Sequence, residues 1–243
     1  MSGIYIHIPF CKKACHYCNF HFSTNQNSKS AFIKAVCKEL MLRKSEYASE
    51  EIQSIYFGGG TPTVLEVSEL EVILQTVYEH YKVSDTPEIT LEANPDDLDA
   101  DKIKALSHTK INRLSIGIQS FHESDLSAMN RAHNADEAKK CLEIATTYFD
   151  NITIDLMFGM PTMSVAQWRQ NLQTAFGFGI KHLSCYALTV EPKTALEHFI
   201  KKGSHPPMDD ELAAKHFEVL LEETATQGLT HYETCSFGHP DYF

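Results

Sequence analysis

The 243-residue sequence predicts an α/β fold, part of a (βα) barrel, and three observations carry that expectation. Short runs rich in β-branched and aromatic residues alternate with longer stretches whose apolar residues recur at i, i+3 and i+4. Two of the short runs, IYIHI and ITIDLMF, are almost continuously apolar, as strands of a parallel sheet covered on both faces would be. The 11 Gly and 9 Pro are scattered rather than clustered, which suits one globular unit and not a disordered or collagenous chain.

In chain order, strands are expected near residues 3–9, 54–57, 88–93, 113–118, 151–157 and 182–187. Amphipathic spacing places helices at 30–46, 66–81, 135–148, 164–176 and 210–226, between or after those strands, where crossovers of a parallel sheet belong. Residues 201–210 (KKGSHPPMDD) read as a long loop before the last helix, not as a domain boundary. A seventh strand is expected near 229–233. Residues 235–243 offer neither a cap nor an apolar partner, so the chain reads as truncated there. The division is therefore a core domain over 1–228 and, over 229–243, the start of a C-terminal region that the chain does not complete.

Thirty-two acidic against 21 basic residues give a formal charge of −11, which argues against nonspecific nucleic-acid binding by clustered Lys and Arg. No run approaches the roughly 18 to 20 apolar residues that span a bilayer, and the N-terminus lacks the order of a signal peptide. A cytosolic protein without membrane insertion is expected. Seven cysteines, three of them within eight residues, then point to metal chemistry rather than a disulfide framework. Cys37, Cys141 and Cys185 read as small apolar residues.

Cys11, Cys15 and Cys18 form CxxxCxxC directly after the first strand. Thiolates at this density bind zinc or an iron–sulfur cluster. His16 or His21 could supply a fourth zinc ligand, but no second CxxC or HxxxH follows, and this favours the cluster. Held by three cysteines, a cluster leaves one iron open. A second signal is Gly58, Gly59, Gly60, Thr61 and Pro62 at the end of a strand, where glycines let backbone approach a ligand closely. It is neither a dinucleotide fingerprint nor a P-loop. Third, Glu92, Asn94, Gln119, Ser120 and Asp155 recur at or near the carboxyl ends of later strands, with Arg131 in a following loop, and in a βα barrel such residues converge on one volume. Asp155 stands in an apolar strand, where an unpaired carboxylate is costly.

Tyr5, the CxxxCxYC loop, GGGTP, Glu92 in LEANP, Gln119 in IGIQSF and Arg131 in NRAH together resemble the radical S-adenosylmethionine (SAM) superfamily. More narrowly they resemble the oxygen-independent coproporphyrinogen III oxidase family, above all its branch of HemW-type heme chaperones. The resemblance implies a partial (βα)6 TIM-like barrel and a [4Fe-4S] cluster ligated by Cys11, Cys15 and Cys18, whose open iron takes SAM. It implies reductive cleavage of SAM to a 5′-deoxyadenosyl radical, with the electron coming from a flavodoxin- or ferredoxin-type donor. By position it implies SAM contacts from Tyr5, Tyr17, Gly59, Gly60, Thr61, Glu92, Gln119, Arg131, Asp155 and Ala187. Arg131 suits a carboxylate and Glu92 or Asp155 ribose hydroxyls, while GGGTP backbone groups suit the methionyl ammonium.

Oxidases of the family carry a substantial segment ahead of the cluster strand, whereas Tyr5 stands four residues after Met1, so the resemblance favours the chaperone branch as the expectation. The chaperones' HNxxYW-type motif lies beyond the YExxxF match at Tyr232, Glu233 and Phe237, and Cys235 within that match is unusual. The chaperone branch implies heme as cargo and a membrane respiratory protein as its acceptor. The alternative is oxidative decarboxylation of coproporphyrinogen III to protoporphyrinogen IX. His7, His16, His21 and His133 lie nearest the expected site, and none is assigned to heme.

Overall fold

A computed structural model of the protein describes residues 2–243. Six strands, β1 (Ser2–Ile8), β2 (Glu51–Gly59), β3 (Lys82–Ala93), β4 (Arg113–Gln119), β5 (Asn151–Phe158) and β6 (His182–Ala187), lie side by side in chain order, every neighbouring pair parallel. The connections carry α1 (Lys29–Arg43), α2 (Val67–His80), α3 (Ala100–Ser107), α4 (Glu123–Ala128), α5 (Ala135–Tyr148) and α6 (Val165–Gly177). After β6 come α7 (Ala195–Lys201), α8 (Asp210–Thr226), β7 (Thr230–Glu233) and β8 (Ser236–Gly238). β8 pairs antiparallel with β6 and β7 antiparallel with β8, so the sheet runs β1-β2-β3-β4-β5-β6-β8-β7 with β1 and β7 as its edges. This is an α/β fold of the partial-barrel type, with six parallel βα strands in the expected order.

The strands alternate more strictly than their apolar content suggests. Ile6 and Ile8, Ile55 and Phe57, Ile89 and Leu91, Leu114 and Ile116, Ile152 and Ile154, and Leu183 and Cys185 are buried in the core. The intervening positions are Tyr5 and His7, Tyr56 and Gly58, Thr90 and Glu92, Ser115 and Gly117, Thr153 and Asp155, and Ser184 and Tyr186. A period of two therefore separates an apolar face from a polar one. Both faces are covered along much of the sheet, as expected, but the second face is polar and encloses a cavity rather than a second apolar layer.

Helix starts are fixed locally. Asn134 with Glu137 and Ser164 with Gln167 form reciprocal capping boxes before α5 and α6, while Asp99, Thr194 and Asp209 cap α3, α7 and α8 through backbone N–H groups. Three of these helices are absent from the sequence reading. α3, α4 and α7 have 8, 6 and 7 residues and bury one or two side chains each, too few to register as a 3.6-residue period.

The tail also differs from expectation. Phe237 of β8 is fully buried and stacks on His231, ring centroids 4.3 Å apart, and the Cys185 N–H donates to the Cys235 carbonyl at 2.8 Å. Residues 235–238 thus do have an apolar partner. Phe237→Ala should destabilise the fold by about 3 kcal/mol, the low end for a buried Phe, since β8 lies near the sheet edge. Urea unfolding checks this, and an unchanged midpoint would show that the β8 strand contributes nothing.

Candidate functional site

The cysteine loop leaves β1 and is sewn to the glycine turn after β2. The Gly60 N–H donates to the Ile8 carbonyl (2.9 Å) and the Thr61 N–H to the Phe10 carbonyl (2.7 Å). A Cβ at Gly60 would stand 2.7 Å from the Phe10 oxygen and 2.8 Å from that of Ile8, so only glycine permits the approach. Gly59 has φ +110°, and a Cβ there would meet the His7 ring at 2.4 Å. The N–H groups of this turn are thus consumed inside the protein. What it has left for an ammonium is carbonyl oxygen.

The far side of the loop is strapped to residues 128–131. The His16 N–H donates to the Met129 carbonyl (3.0 Å), His16 Nδ1 contacts the Ala128 carbonyl (2.9 Å), Asn130 Nδ2 donates to the Ala14 carbonyl (2.8 Å) and Lys13 Nζ to that of Arg131 (3.1 Å). Asn130 does this from a left-handed backbone, φ +58°, which Asn tolerates better than most residues. The Leu196 N–H of α7 donates to the His16 carbonyl (2.8 Å), and Lys12 pairs with the buried Asp97 (2.5 Å).

Between loop and strands lies a cavity of about 650 Å³. Cys11, Cys15, Cys18, Tyr17, Gly59, Gly60, Thr61, Glu92, Gln119, Arg131, Asp155 and Ala187 all line it. Tyr5 does not: it is 58% exposed on β1, with its hydroxyl on His7 Nδ1 (2.9 Å). None of His7, His16, His21 and His133 lines the cavity. Burial, with Arg131 nearby, lowers His133 to about 4, so it is neutral. Asn94, expected from its strand end, lines the cavity too, whereas Ser120 does not, and lining residues that the sequence did not single out include Ser115, Gly117, Met157 and Tyr186. Asn94 carries the clearest role, tying Arg131 (2.6 Å) to Thr61 Oγ1 (3.1 Å), and its place at the carboxyl end of β3 signalled it.

Arg131 is the cationic centre. Its guanidinium donates to Cys15 Sγ (3.3 Å), the Tyr17 hydroxyl (3.4 Å), Asn94 Oδ1 (2.6 Å) and the Gly117 carbonyl (2.7 Å), and its buried Nε has no partner. The two carboxyl groups opposite are both pushed up. Burial raises Asp155 to about 7, with Glu92 adding and Arg131 opposing. Burial likewise raises Glu92, against hydrogen bonds from the Tyr56 hydroxyl (2.8 Å) and the Gly59 N–H (3.0 Å). Gln119 sits at a bulge in the β4–β5 register with φ +67°, a sparsely populated conformation of the kind that collects at binding sites.

The donor set decides between metals. All three thiols are free and face one cavity whose lining contains no histidine, so a four-ligand structural zinc site is not assembled. Three thiolates with room beside them suit an iron–sulfur cluster and a ligand on its open iron. The orphaned Arg131 Nε and its neutral or thiol partners leave a cation to be balanced by an anionic occupant.

Comparison with known proteins agrees with this geometry. Residues 5–175 match the radical SAM superfamily. The chain is 34% identical over 242 residues to a protein named heme chaperone HemW from Bacillus subtilis, covering 98% of this chain and 63% of that one. HemW from Escherichia coli is 32% identical, covering 99% and 63%, and a mouse protein named radical S-adenosyl methionine domain-containing protein 1, mitochondrial, is 31% identical, covering 97% and 54%. The chain thus spans somewhat under two thirds of these relatives. Among solved structures, coproporphyrinogen III oxidase from Escherichia coli superposes with a TM-score of 0.88 at 23% identity, covering 98% of this chain and 56% of that one, a likeness of fold.

The raised Asp155 carboxyl has a measurable consequence. Its ionised form destabilises the fold, so the cost is absent below about pH 4, grows as the unfolded chain ionises, and is complete above pH 7. Asp155→Asn should therefore melt on the order of 5 °C higher than wild type at pH 8 and together with it at pH 4. Equal melting at pH 8 would contradict the buried-charge account.

Proposed function

The chain belongs to the radical SAM superfamily, and on that premise we propose that it works as a heme chaperone, binding heme and delivering it to a membrane respiratory protein. The observation that carries the reading is the 34% identity to a heme chaperone along 98% of this chain, which is a relation of sequence where the oxidase offers a likeness of fold. Members of the family use a [4Fe-4S] cluster and SAM, which together supply one-electron chemistry at the open iron. Cys11, Cys15 and Cys18 hold the cluster. Tyr17, Gly59, Gly60, Thr61, Glu92, Gln119, Arg131, Asp155 and Ala187, which line the cavity, would hold SAM, with Tyr5 acting from outside the cavity wall.

The chain's own residues bind and orient. Arg131, already tied to Cys15 and Asn94, sets a positive charge beside the cysteines and would pair with a carboxylate bound there. Glu92 and Asp155 face it from β3 and β5, placed for hydroxyl donors. Among the described residues no helix is long and apolar enough to cross a membrane. The proposed setting is the cytoplasm, with a flavodoxin- or ferredoxin-type protein as electron donor and heme passed to the acceptor at the membrane surface.

Anaerobic reconstitution with iron and sulfide tests the reading. The protein should take up the iron of one [4Fe-4S] cluster per chain, lose it in Cys15→Ala, bind heme and leave coproporphyrinogen III unchanged. Formation of protoporphyrinogen IX would replace the chaperone reading with the oxidase one. Zinc in place of iron would remove the cluster altogether.

A further inference from the structure

We propose, on the reading that the cavity holds SAM, that Tyr56 is a positioning residue that fixes Glu92 for the cofactor's hydroxyl groups and tunes the part of the acid limb of SAM binding that Glu92 contributes beside Asp155. Tyr56 lies outside the cavity lining and carries no part of the sequence motifs, yet it determines how Glu92 is presented. Its hydroxyl donates to Glu92 Oε1 at 2.8 Å, and the Gly59 N–H donates to Oε2 at 3.0 Å. Both donors come from β2, one for each carboxylate oxygen. A carboxylate has about four acceptor sites, so each oxygen keeps one for a ligand. A pair of neighbouring hydroxyls is a ligand with donors spaced to use both.

The arrangement is locked by packing. A Cβ at Gly58 would lie 2.8 Å from Tyr56 Cε1, 3.0 Å from Glu92 Oε1 and 3.0 Å from Tyr5 Cε2. The Tyr5 ring stacks on Tyr56 with centroids 6.1 Å apart and planes at 27°. Tyr5, which does not reach the cavity, therefore backs the ring that orients Glu92. Burial and the Glu92 charge push the Tyr56 phenol well above its usual range, so it remains a proton donor wherever the protein is folded. Burial alone disfavours the Glu92 carboxylate, and the Tyr56 hydroxyl offsets this by bonding to the charged form. Glu92 is also faced by Tyr5 and His7 of β1 and by Asp155 of β5, none of which hydrogen-bonds it.

Tyr56→Phe keeps the ring and removes only the donor. In the cluster-loaded full chain, equilibrium dialysis against SAM across pH should show binding about tenfold weaker near neutrality, the scale of one charge-assisted hydrogen bond. The acid limb of binding should move to higher pH by about one pH unit, because Glu92 then protonates more readily. In a Glu92→Gln background the acid limb that remains, to which Asp155 contributes, should no longer move with Tyr56→Phe, and Tyr56→Phe should cost nothing further. In the chain without cofactors, 13C carboxyl NMR should show the Glu92 titration midpoint rising in Tyr56→Phe. An unshifted limb with an unshifted midpoint, or an equal loss in both backgrounds, overturns the positioning role alone. Wild-type protein that takes up no SAM overturns the cofactor reading and this proposal with it.

Discussion

The top of the barrel hangs on one guanidinium. Arg131 joins the cysteine loop through Cys15 and Tyr17, the end of β3 through Asn94, and β4 through the Gly117 carbonyl. None of those four partners is a carboxylate. A cation placed out of water with neutral neighbours is expensive unless an anion completes the site. Three cysteine thiolates carrying a cluster, and a ligand carboxylate beside them, would supply that charge. Asp96 and Asp155 supply part of the opposing charge at longer range, and an anionic occupant would add to it at contact. The strap of hydrogen bonds from residues 128–131 to the cysteine loop means that the ligands and the cation move as one piece.

The cavity exists because the polar face of the sheet is built from small residues where it matters. Ser115 and Gly117 stand on β4 between Glu92 on β3 and Asp155 on β5, and a Cβ at Gly117 would lie within 3.0 to 3.2 Å of the Gln119, Arg131 and Asn94 side chains. A methyl group there would push on all three. The two carboxyl groups are held on opposite sides of this gap, and the Glu92 charge adds to the cost of ionising Asp155 across it. Low dielectric and like charge therefore work together. One adjacent cation offsets part of the effect, which leaves Asp155 protonated over much of the acid range.

How far the sequence revealed this follows from the range of the interactions. Strand order and the long helices were legible because each rests on local periodicity and on the short right-handed connections of a parallel sheet. The cysteine loop and the polar strand ends were legible because their chemistry is written in residue type at fixed spacing. The short helices α3, α4 and α7 are held mainly by caps and by what they pack against, and β8 is held by its pairing with β6 and by Phe237 stacked on His231, so neither leaves a periodic trace. The polar face was hidden by Tyr5 and Tyr56, which count as apolar in a composition but carry hydroxyls, that of Tyr56 on Glu92 and that of Tyr5 on His7.

Tyr5 shows why position in a motif and position in space differ. It shares the polar face of β1 with His7, one pair of residues below the level where the sheet opens into the cavity, and its register partner is Tyr56. At that level its ring lies against the neighbouring Tyr56 ring on one side and solvent on the other, not in the cavity. Gly58 is the residue that lets the two rings and Glu92 meet, since any side chain there would occupy the point where all three converge. The glycine run therefore serves three separate constraints in succession: Gly58 makes room for Glu92 and its tyrosine, Gly59 supplies a backbone conformation and a donor, and Gly60 admits the cysteine loop. A tight turn alone would need only one of them. Three in a row are needed because ligand loop, carboxylate and strand end are brought together within a single rung of the barrel.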